Sequence, residues 1–177
     1  AREVKTQVEF NPAVVSEYRL IGYENRVLNN EDFANDKVDA GDIGAGHEVT
    51  ALYEITPVGS DATRLPVLRY GDKATTPPGG DTGEVAHLRL RYKLPGDDAS
   101  KLIEAPIATG SLTPQASEAF RFATAVAAYA DLLRGGQRIE NWSWNDVART
   151  ARGASGSDPH GLRAEFIGLL DQARRME

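Results

Sequence analysis

EVAHLRLRYKL, residues 84–94, alternates apolar and polar side chains from Ala86 to Leu94. The apolar set is Ala86, Leu88, Leu90, Tyr92 and Leu94, and the polar set is His87, Arg89, Arg91 and Lys93. Because neighbouring side chains in a strand point to opposite faces, this period of two predicts a β-strand with one face on a core and the other in water. Its basic row, Arg89, Arg91 and Lys93, is suited to contact an acidic surface of the same chain or to keep a strand edge soluble.

Four runs upstream also have the composition of strands, at residues 4–10, 16–24, 48–55 and 65–70. In the first run, the side chains expected in the core are Val4, Thr6, Val8 and Phe10, and those expected in water are Lys5, Gln7 and Glu9. Gly22 predicts a bulge in the second run, and Pro66 places the fourth at a sheet edge. Residues 71–83, GDKATTPPGGDTG, predict a long hairpin loop. Together the five strands indicate an antiparallel, sandwich-like β region over residues 1–95.

From residue 113 onward the pattern becomes helical. Thr113 is a suitable N-cap with Pro114 at the first helical position, and Gly135-Gly136 ends this first helix. Its expected core positions are Phe122, Val126, Tyr129 and Leu133. Ser143 and Asp146 resemble a capping box that starts a short second helix ending at Gly153. Asp158-Pro159 opens the third helix, whose apolar stripe is Leu162, Phe166, Leu169, Leu170 and Ala173.

Strands followed by helices place the chain in the α+β class. We expect the helical region, residues 113–177, to pack on the β region as one composite domain, since 177 residues is the size of a single domain. The opening sequence, AREVKTQVEF, begins at once in strand-like alternation. That start is what we expect of a fragment of a longer protein.

Composition removes several classes of function. The net charge of −6 argues against a nucleic-acid partner. No apolar run approaches the roughly 20 residues of a transmembrane helix, so no membrane span is expected in this sequence. The chain has no Cys, which excludes thiol catalysis, cysteine zinc sites and disulfides.

Residues 29–42, NNEDFANDKVDAGD, form the most charged stretch of the chain. Asp32, Asp36, Asp39 and Asp42 carry hard oxygen ligands of the kind that Ca²⁺ prefers. Their spacing does not match an EF-hand, so we favour a solvated acidic loop, with Ca²⁺ binding as the alternative. No other cofactor is expected.

Glycine and histidine cluster just after this acidic stretch. Gly41, Gly44 and Gly46 run into a strand and not into a helix, so they predict a turn with positive backbone angles in preference to a phosphate cradle. Of the three histidines, His47 is the best candidate for acid–base chemistry, although a surface role is favoured.

Trp142 and Trp144 flank Ser143 just before the second helix. Two exposed indoles at this spacing could stack on a sugar or anchor a protein partner. The alternative, which we favour, is that one of them packs the start of the helix into the core while the other is half exposed.

Four ordered blocks carry a resemblance: VEFNP (8–12), YRLIGYENR (18–26), DFANDKVDAGDIGAGHEVTALYEI (32–55) and FRFATAVAAYADLLR (120–134). They resemble the C-terminal domain of bacterial von Willebrand factor type A proteins of the YfbK type. The resemblance implies that a type A domain precedes this chain, that the parent proteins are envelope-associated or secreted, and that they act in adhesion or protein–protein interaction. It implies no catalytic residue here, and the Asp-x-Ser-x-Ser signature of the type A metal site does not occur in this sequence.

The resulting hypothesis is a non-enzymatic accessory domain that supports an adjoining type A domain and an unidentified protein ligand. Two alternatives remain. The first is a carbohydrate or cell-wall binding module that uses Trp142 and Trp144, and the second is a hydrolase that uses His47 with carboxylates of residues 29–42.

Overall fold

The chain forms two compact units in a computed structural model that describes residues 1–22, 28–65, 83–136 and 142–176. The strand unit is Ala1–Leu112 and the helical unit is Thr113–Glu177. Strands precede helices, so the predicted α+β class is confirmed. The packing of the helical region on the β region stays a prediction.

The described strands of the strand unit form two antiparallel sheets. They are β1 (Arg2–Phe10), β2 (Val15–Ile21), β3 (Leu52–Pro57), β4 (Glu84–Lys93) and β5 (Lys101–Ala108). The order β1-β4-β5 makes a three-stranded sheet, and β2 pairs with β3 in a two-stranded sheet. The alternating sequence of residues 84–94 therefore lies in the central strand of the larger sheet.

Sequence reasoning missed β5 altogether. Residues 95–112 show no period of two, and Pro106 lies inside the strand. The strand forms because a tight turn, in which Asp97 N–H donates to Leu94 O (3.0 Å), folds the chain back onto β4. Its outer position in the sheet tolerates the proline, which has no N–H to donate.

Three strand predictions change in detail. The third run begins at Leu52, four residues later than expected, and Val49 is 75% exposed. Gly22 (φ 123°) follows the end of β2 and is not a bulge inside it. The predictions for residues 65–70 and 71–83 fall outside the described residues, except at Leu65 and Gly83.

The helical unit contains α1 (Glu118–Leu133), α2 (Trp144–Arg152) and α3 (Leu162–Arg174). The predicted N-cap of α1 at Thr113 is wrong, because the Ser117 hydroxyl accepts the N–H of Phe120 (3.2 Å) and starts the helix there. The predicted start of α3 at Asp158 is also too early. Asp158 instead precedes the helix, and its carboxylate accepts the N–H of Ala164, which lies in the first turn. This hydrogen bond (2.9 Å) holds the pKa of Asp158 below its ordinary value.

The capping box of α2 is confirmed. The Ser143 hydroxyl accepts the N–H of Asp146 (3.3 Å), and the Ser143 N–H donates to the Asp146 carboxylate (3.0 Å). The Ser143 hydroxyl also donates to this carboxylate (2.5 Å), and the hydrogen bonds that the Ser143 hydroxyl and N–H donate to it hold the pKa of Asp146 below its ordinary value. The helix ends at Gly153 as predicted.

Small side chains dominate the core of the helical unit. The fully buried members are Ala125, Ala128, Val147, Ala148, Ala151 and Leu170. Aromatic rings surround them, with Phe166 edge-on to both Phe122 (5.4 Å between centroids) and Tyr129 (5.3 Å). Alanine lets α1 and α2 approach closely, and the rings fill the remaining space.

Four residues expected in this core are instead largely exposed: Val126 (40%), Leu133 (57%), Leu162 (65%) and Leu169 (48%). The buried face of α1 follows Ala125 and Ala128, which lie to one side of the predicted stripe. None of the helices in the described ranges is long and apolar enough to span a bilayer.

Candidate functional site

The central strand β4 presents its polar side chains on one face of the three-stranded sheet. Across β1, Lys5 lies opposite Arg91, Gln7 opposite Arg89, and Glu9 opposite His87. Residues directly opposite in antiparallel strands project to the same side, so these six and Lys93 share one surface, here called the polar face.

Residues 28–43, here called the acidic segment, lie against the polar face and are bound to it by two lysines. Lys5 is 3% exposed, and its ammonium donates to the backbone oxygens of Asp32 (3.1 Å) and Asn35. Lys93 is 7% exposed, and its ammonium donates to Asp36 O (2.9 Å) and pairs with the Glu3 carboxylate (2.7 Å). The charges of both lysines are therefore used to bind the segment to the sheet.

The burial of Lys5 corrects the prediction that it faces water. The alternation placed Lys5 in solvent and Thr6 in a core, but Thr6 is exposed. The polar face is covered because the acidic segment folds over it. A register shift between Arg2 and Lys5, with Glu3 at φ 50°, bends the start of β1 in the same region.

The four aspartates proposed as Ca²⁺ ligands are dispersed. Asp32 accepts from the Asn29 amide (3.1 Å), Asp36 from the Ser100 N–H (3.3 Å) and Asp42 from the Glu3 N–H (3.0 Å). Asp39 lies exposed. Within the described ranges, no three His, Asp or Glu side chains are arranged to hold a metal ion. The side chains of Lys5, Lys93 and Arg91 bring the positive charges that contact this segment.

The side chains of the basic row contact two different parts of the chain. The Arg91 guanidinium lies over the Phe33 ring of the acidic segment (5.8 Å to the centroid) and donates to the Ser100 hydroxyl (2.8 Å). Arg89 instead pairs with Glu104 of β5 (3.0 Å). Of the two roles left open for the basic row, Arg91 and Lys93 therefore take the first, contact with the acidic segment.

We expect Asp36→Asn to reduce the loss of stability in acid. Hydrogen bonds from the Ser100 hydroxyl and N–H, helped by the charges of Lys93 and Arg91, hold the pKa of Asp36 below its ordinary value. Such a carboxyl stabilises the fold above its unfolded pKa, and the stabilisation disappears as the pH falls through the folded pKa. Urea unfolding at about pH 6 and pH 3 should show a larger loss for the parent than for the variant.

Ser100→Ala is the companion variant, because it removes the hydroxyl donor and leaves the N–H. It should reproduce part of the effect of Asp36→Asn. If the parent and Asp36→Asn lost the same stability between the two pH values, Asp36 would not be a source of the acid sensitivity.

A cleft with a volume of about 180 Å³ lies on the two-stranded sheet. Its lining residues are Glu17, Tyr18, Arg19, Glu54, Thr56, Arg64 and Leu65. The Glu17 carboxylate accepts the N–H groups of Arg64 (3.1 Å) and Leu65 (3.0 Å), while Glu54 pairs with Arg19 and with Arg64 (3.2 Å). Sequence reasoning missed this cleft, since the opposition of Arg19 to Glu54 depends on the register of β2 and β3.

His47 does not line this cleft. It lies exposed in a turn where its N–H donates to Gly44 O (3.3 Å) and where Gly46 has φ 76°. The prediction of a glycine turn with a positive backbone angle is confirmed at Gly46, whereas Gly41 pairs with Val4 as an isolated bridge.

Trp142 and Trp144 are both half-buried and pack against the core of the helical unit. The Trp144 ring lies edge-on to Tyr129 (5.8 Å between centroids). Their indoles therefore contribute to the packing of the helices, and the stacking platform for a sugar or a protein partner stays a prediction.

Comparison with known proteins gives one family. A family model described as "Uncharacterized protein YfbK, C-terminal" matches residues 1–176. The chain belongs to this family. A relative from Escherichia coli (strain K12), described as "Uncharacterized protein YfbK", is 47% identical over 173 residues, which is 98% of this chain and 30% of that protein. No solved structure matches.

The YfbK C-terminal match includes both units of the structure. The polar face, the acidic segment and the three helices therefore all lie inside the family region. The chain spans about 30% of the length of its Escherichia coli relative.

Proposed function

We propose that this YfbK C-terminal region is a non-enzymatic accessory domain. It adjoins a von Willebrand factor type A domain in a longer bacterial polypeptide and supports protein–protein interaction or adhesion at the cell envelope. The observation that carries the proposal is how the polar face is used. Lys5, Lys93, Arg91 and Asp36 bind the acidic segment to the sheet and so contribute to a stiff scaffold.

Two further observations support this proposal. The relative from Escherichia coli is more than three times as long as the region it shares with this chain, which leaves room for other domains in that protein. Most of the groups named for the alternative functions also make contacts that contribute to the fold. Trp142 and Trp144 pack on the helical core, and the carboxylates of Asp32, Asp36 and Asp42 accept hydrogen bonds from other residues of the strand unit.

The test compares the longer polypeptide with a version that lacks the 177 residues of this chain. Both are cross-linked in intact bacteria, purified by a tag, and their attached proteins are identified by mass spectrometry. We expect the deletion to remove specific cross-linked envelope proteins. An unchanged set of cross-linked proteins would contradict an accessory role.

His47→Ala in the longer polypeptide is the matched control. The proposal gives this exposed side chain no part in partner capture, so the variant should retain the full set of cross-linked proteins. Loss of that set in His47→Ala would instead favour a site built around the histidine.

A further inference from the structure

The second face of the three-stranded sheet is apolar. Cross-strand registers place its side chains in three rows, which are Thr6–Leu90–Ile103, Val8–Leu88–Ala105 and Phe10–Ala86–Ile107. Eight of these nine residues are apolar, and together they are called the apolar face. It lies directly behind the polar face, because successive residues of each strand point to opposite sides.

The apolar face is only partly buried. Ala86 is its only buried member at 2% exposure, while Ile103 is 50% and Ile107 is 40% exposed. On the polar face, by contrast, two lysines are more than nine-tenths buried. A contiguous apolar surface left open in this way is typical of an interface.

One end of the apolar face already has a cover. Phe10 stacks on Tyr18 of β2 (4.4 Å between centroids) and meets Tyr53 of β3 edge-on (5.4 Å). The row that contains Thr6, Leu90 and Ile103 lies toward the other end of the sheet. The cover lies at Phe10, whereas Ile107 of the same row is 40% exposed. The open part of the face therefore extends from Ile107 to the end of the sheet at which β1 begins.

The chain enters the sheet at that open end. Arg2 lies opposite Lys93, and Ala1 exchanges two hydrogen bonds with Ile43: Ala1 N donates to Ile43 O (2.8 Å) and Ile43 N donates to Ala1 O (2.9 Å). In a longer polypeptide Ala1 has a backbone N–H in place of the terminal ammonium, and this N–H can donate the same hydrogen bond to Ile43 O. Residues that precede Ala1 in a longer polypeptide would approach the sheet from the end at which Arg2 lies opposite Lys93, three positions along β4 from Leu90.

We propose that the apolar face is the surface on which the domain that precedes Ala1 in the longer polypeptide docks. This inference rests on the proposed function, since it names the surface through which the accessory domain supports its neighbour. In the Escherichia coli relative, about 70% of the protein lies outside the shared region, enough to supply such a domain. Covalent connection raises the effective concentration of the neighbour to roughly the millimolar range, so a modest apolar surface suffices.

The composition of β5 favours contact through the face and not through the strand edge. Lys101, Glu104 and Pro106 lie in this outer strand, and charge and proline at an edge oppose the addition of another strand. Ile103 and Ile107 belong instead to the apolar face.

The absence of Cys from the chain allows a direct test by chemical labelling. Ile103→Cys is made in the 177-residue chain and in the longer polypeptide, and the rate of maleimide labelling at that peptide is followed by mass spectrometry. Leu169→Cys is the control, because Leu169 is 48% exposed against 50% for Ile103 and lies on α3. We expect Ile103→Cys to react roughly tenfold more slowly in the longer polypeptide, and Leu169→Cys to react at the same rate in both.

Ile107→Cys is a second variant on the same face, in case Ile103→Cys perturbs the fold, and it should also be slowed. Equal rates for both Ile103→Cys and Ile107→Cys in the short and long proteins overturn the docking surface but leave the cross-linking test of the proposed function intact. If Leu169→Cys is also slowed by the same factor in the longer polypeptide, the docking surface is overturned too. Slowing of Ile103→Cys in the short chain as its concentration rises would assign the face to a second copy, which also overturns the proposal.

Discussion

Lys5→Met is expected to lower the free energy of unfolding of the strand unit by about 3 kcal/mol. The ammonium of Lys5 is the donor to two backbone oxygens of the acidic segment, at Asp32 and Asn35. Methionine keeps the unbranched, apolar stem but cannot donate, so both oxygens lose a charged partner at a site where Lys5 is 3% exposed. Hydrogen bonds from a charged donor each contribute about 1.5–3 kcal/mol, more than neutral ones.

The measurement is urea unfolding followed by far-ultraviolet circular dichroism, combined with amide hydrogen exchange. Exchange should become faster in the acidic segment, at the N–H groups of Asp32, Asn35 and Val38, which form its local turns. Unchanged exchange in this segment would show that Lys5 does not hold it to the sheet.

Gln7→Met is the matched control for Lys5→Met. Gln7 lies on the same strand and the same face, and its amide also reaches the acidic segment, at the Asn30 side chain (3.3 Å). That bond is exposed to solvent and joins two neutral groups, so its loss should cost less than about 1 kcal/mol. Equal losses for Gln7→Met and Lys5→Met would contradict the special role of the buried ammonium.

Leu170→Ala is expected to destabilise the helical unit by about 3–5 kcal/mol. Leu170 is fully buried and is one of the two largest completely buried side chains of the described residues, together with Val147. The other fully buried members of its core are Val147 and four alanines, and alanine has no rotatable side chain with which to fill the space left behind. The cavity therefore stays open, and the cost falls near the upper part of the usual range.

Tryptophan fluorescence isolates this effect. The chain has two Trp, and both Trp142 and Trp144 pack against the core of the helical unit. Unfolding followed by fluorescence thus reports on the helices, while circular dichroism also reports on the strands. We expect the midpoint of the fluorescence transition to fall with Leu170→Ala.

Leu169→Ala tests whether burial is the cause. The two leucines are neighbours on α3, but Leu169 is 48% exposed. Its truncation should change the stability by less than about 1 kcal/mol. Comparable losses at both positions would contradict a core that buries Leu170 and leaves Leu169 exposed.

Elements with strong local signals could be predicted from the sequence. The capping box of Ser143 and Asp146 was found because both of its hydrogen bonds join residues three positions apart. β4 was found because its sequence alternates over nine residues, from Ala86 to Leu94. These signals are local, so they do not depend on how distant parts of the chain meet.

Elements that depend on partners far along the chain could not be predicted. The sequence of β5 does not alternate regularly between apolar and polar residues, and seven of its eight residues are exposed. The segment is a strand because it pairs with β4. The side of α1 that is buried was misplaced at Val126 and Leu133, because helical spacing alone allows several neighbouring stripes. The cleft around Glu54 requires a register between β2 and β3 that composition does not encode.

By itself the sequence determined the order of strands and helices, the absence of cysteine chemistry and the membership of the YfbK C-terminal family, which four blocks of residues already indicated. Only the tertiary structure decided what the charged residues do. Lys5 and Asp32 are separated by 27 positions, and Lys93 and Asp36 by 57. A lysine on an alternating strand is expected in water. It becomes a buried donor only when a distant segment brings backbone oxygens to it, because a buried ammonium needs acceptors once it leaves solvent.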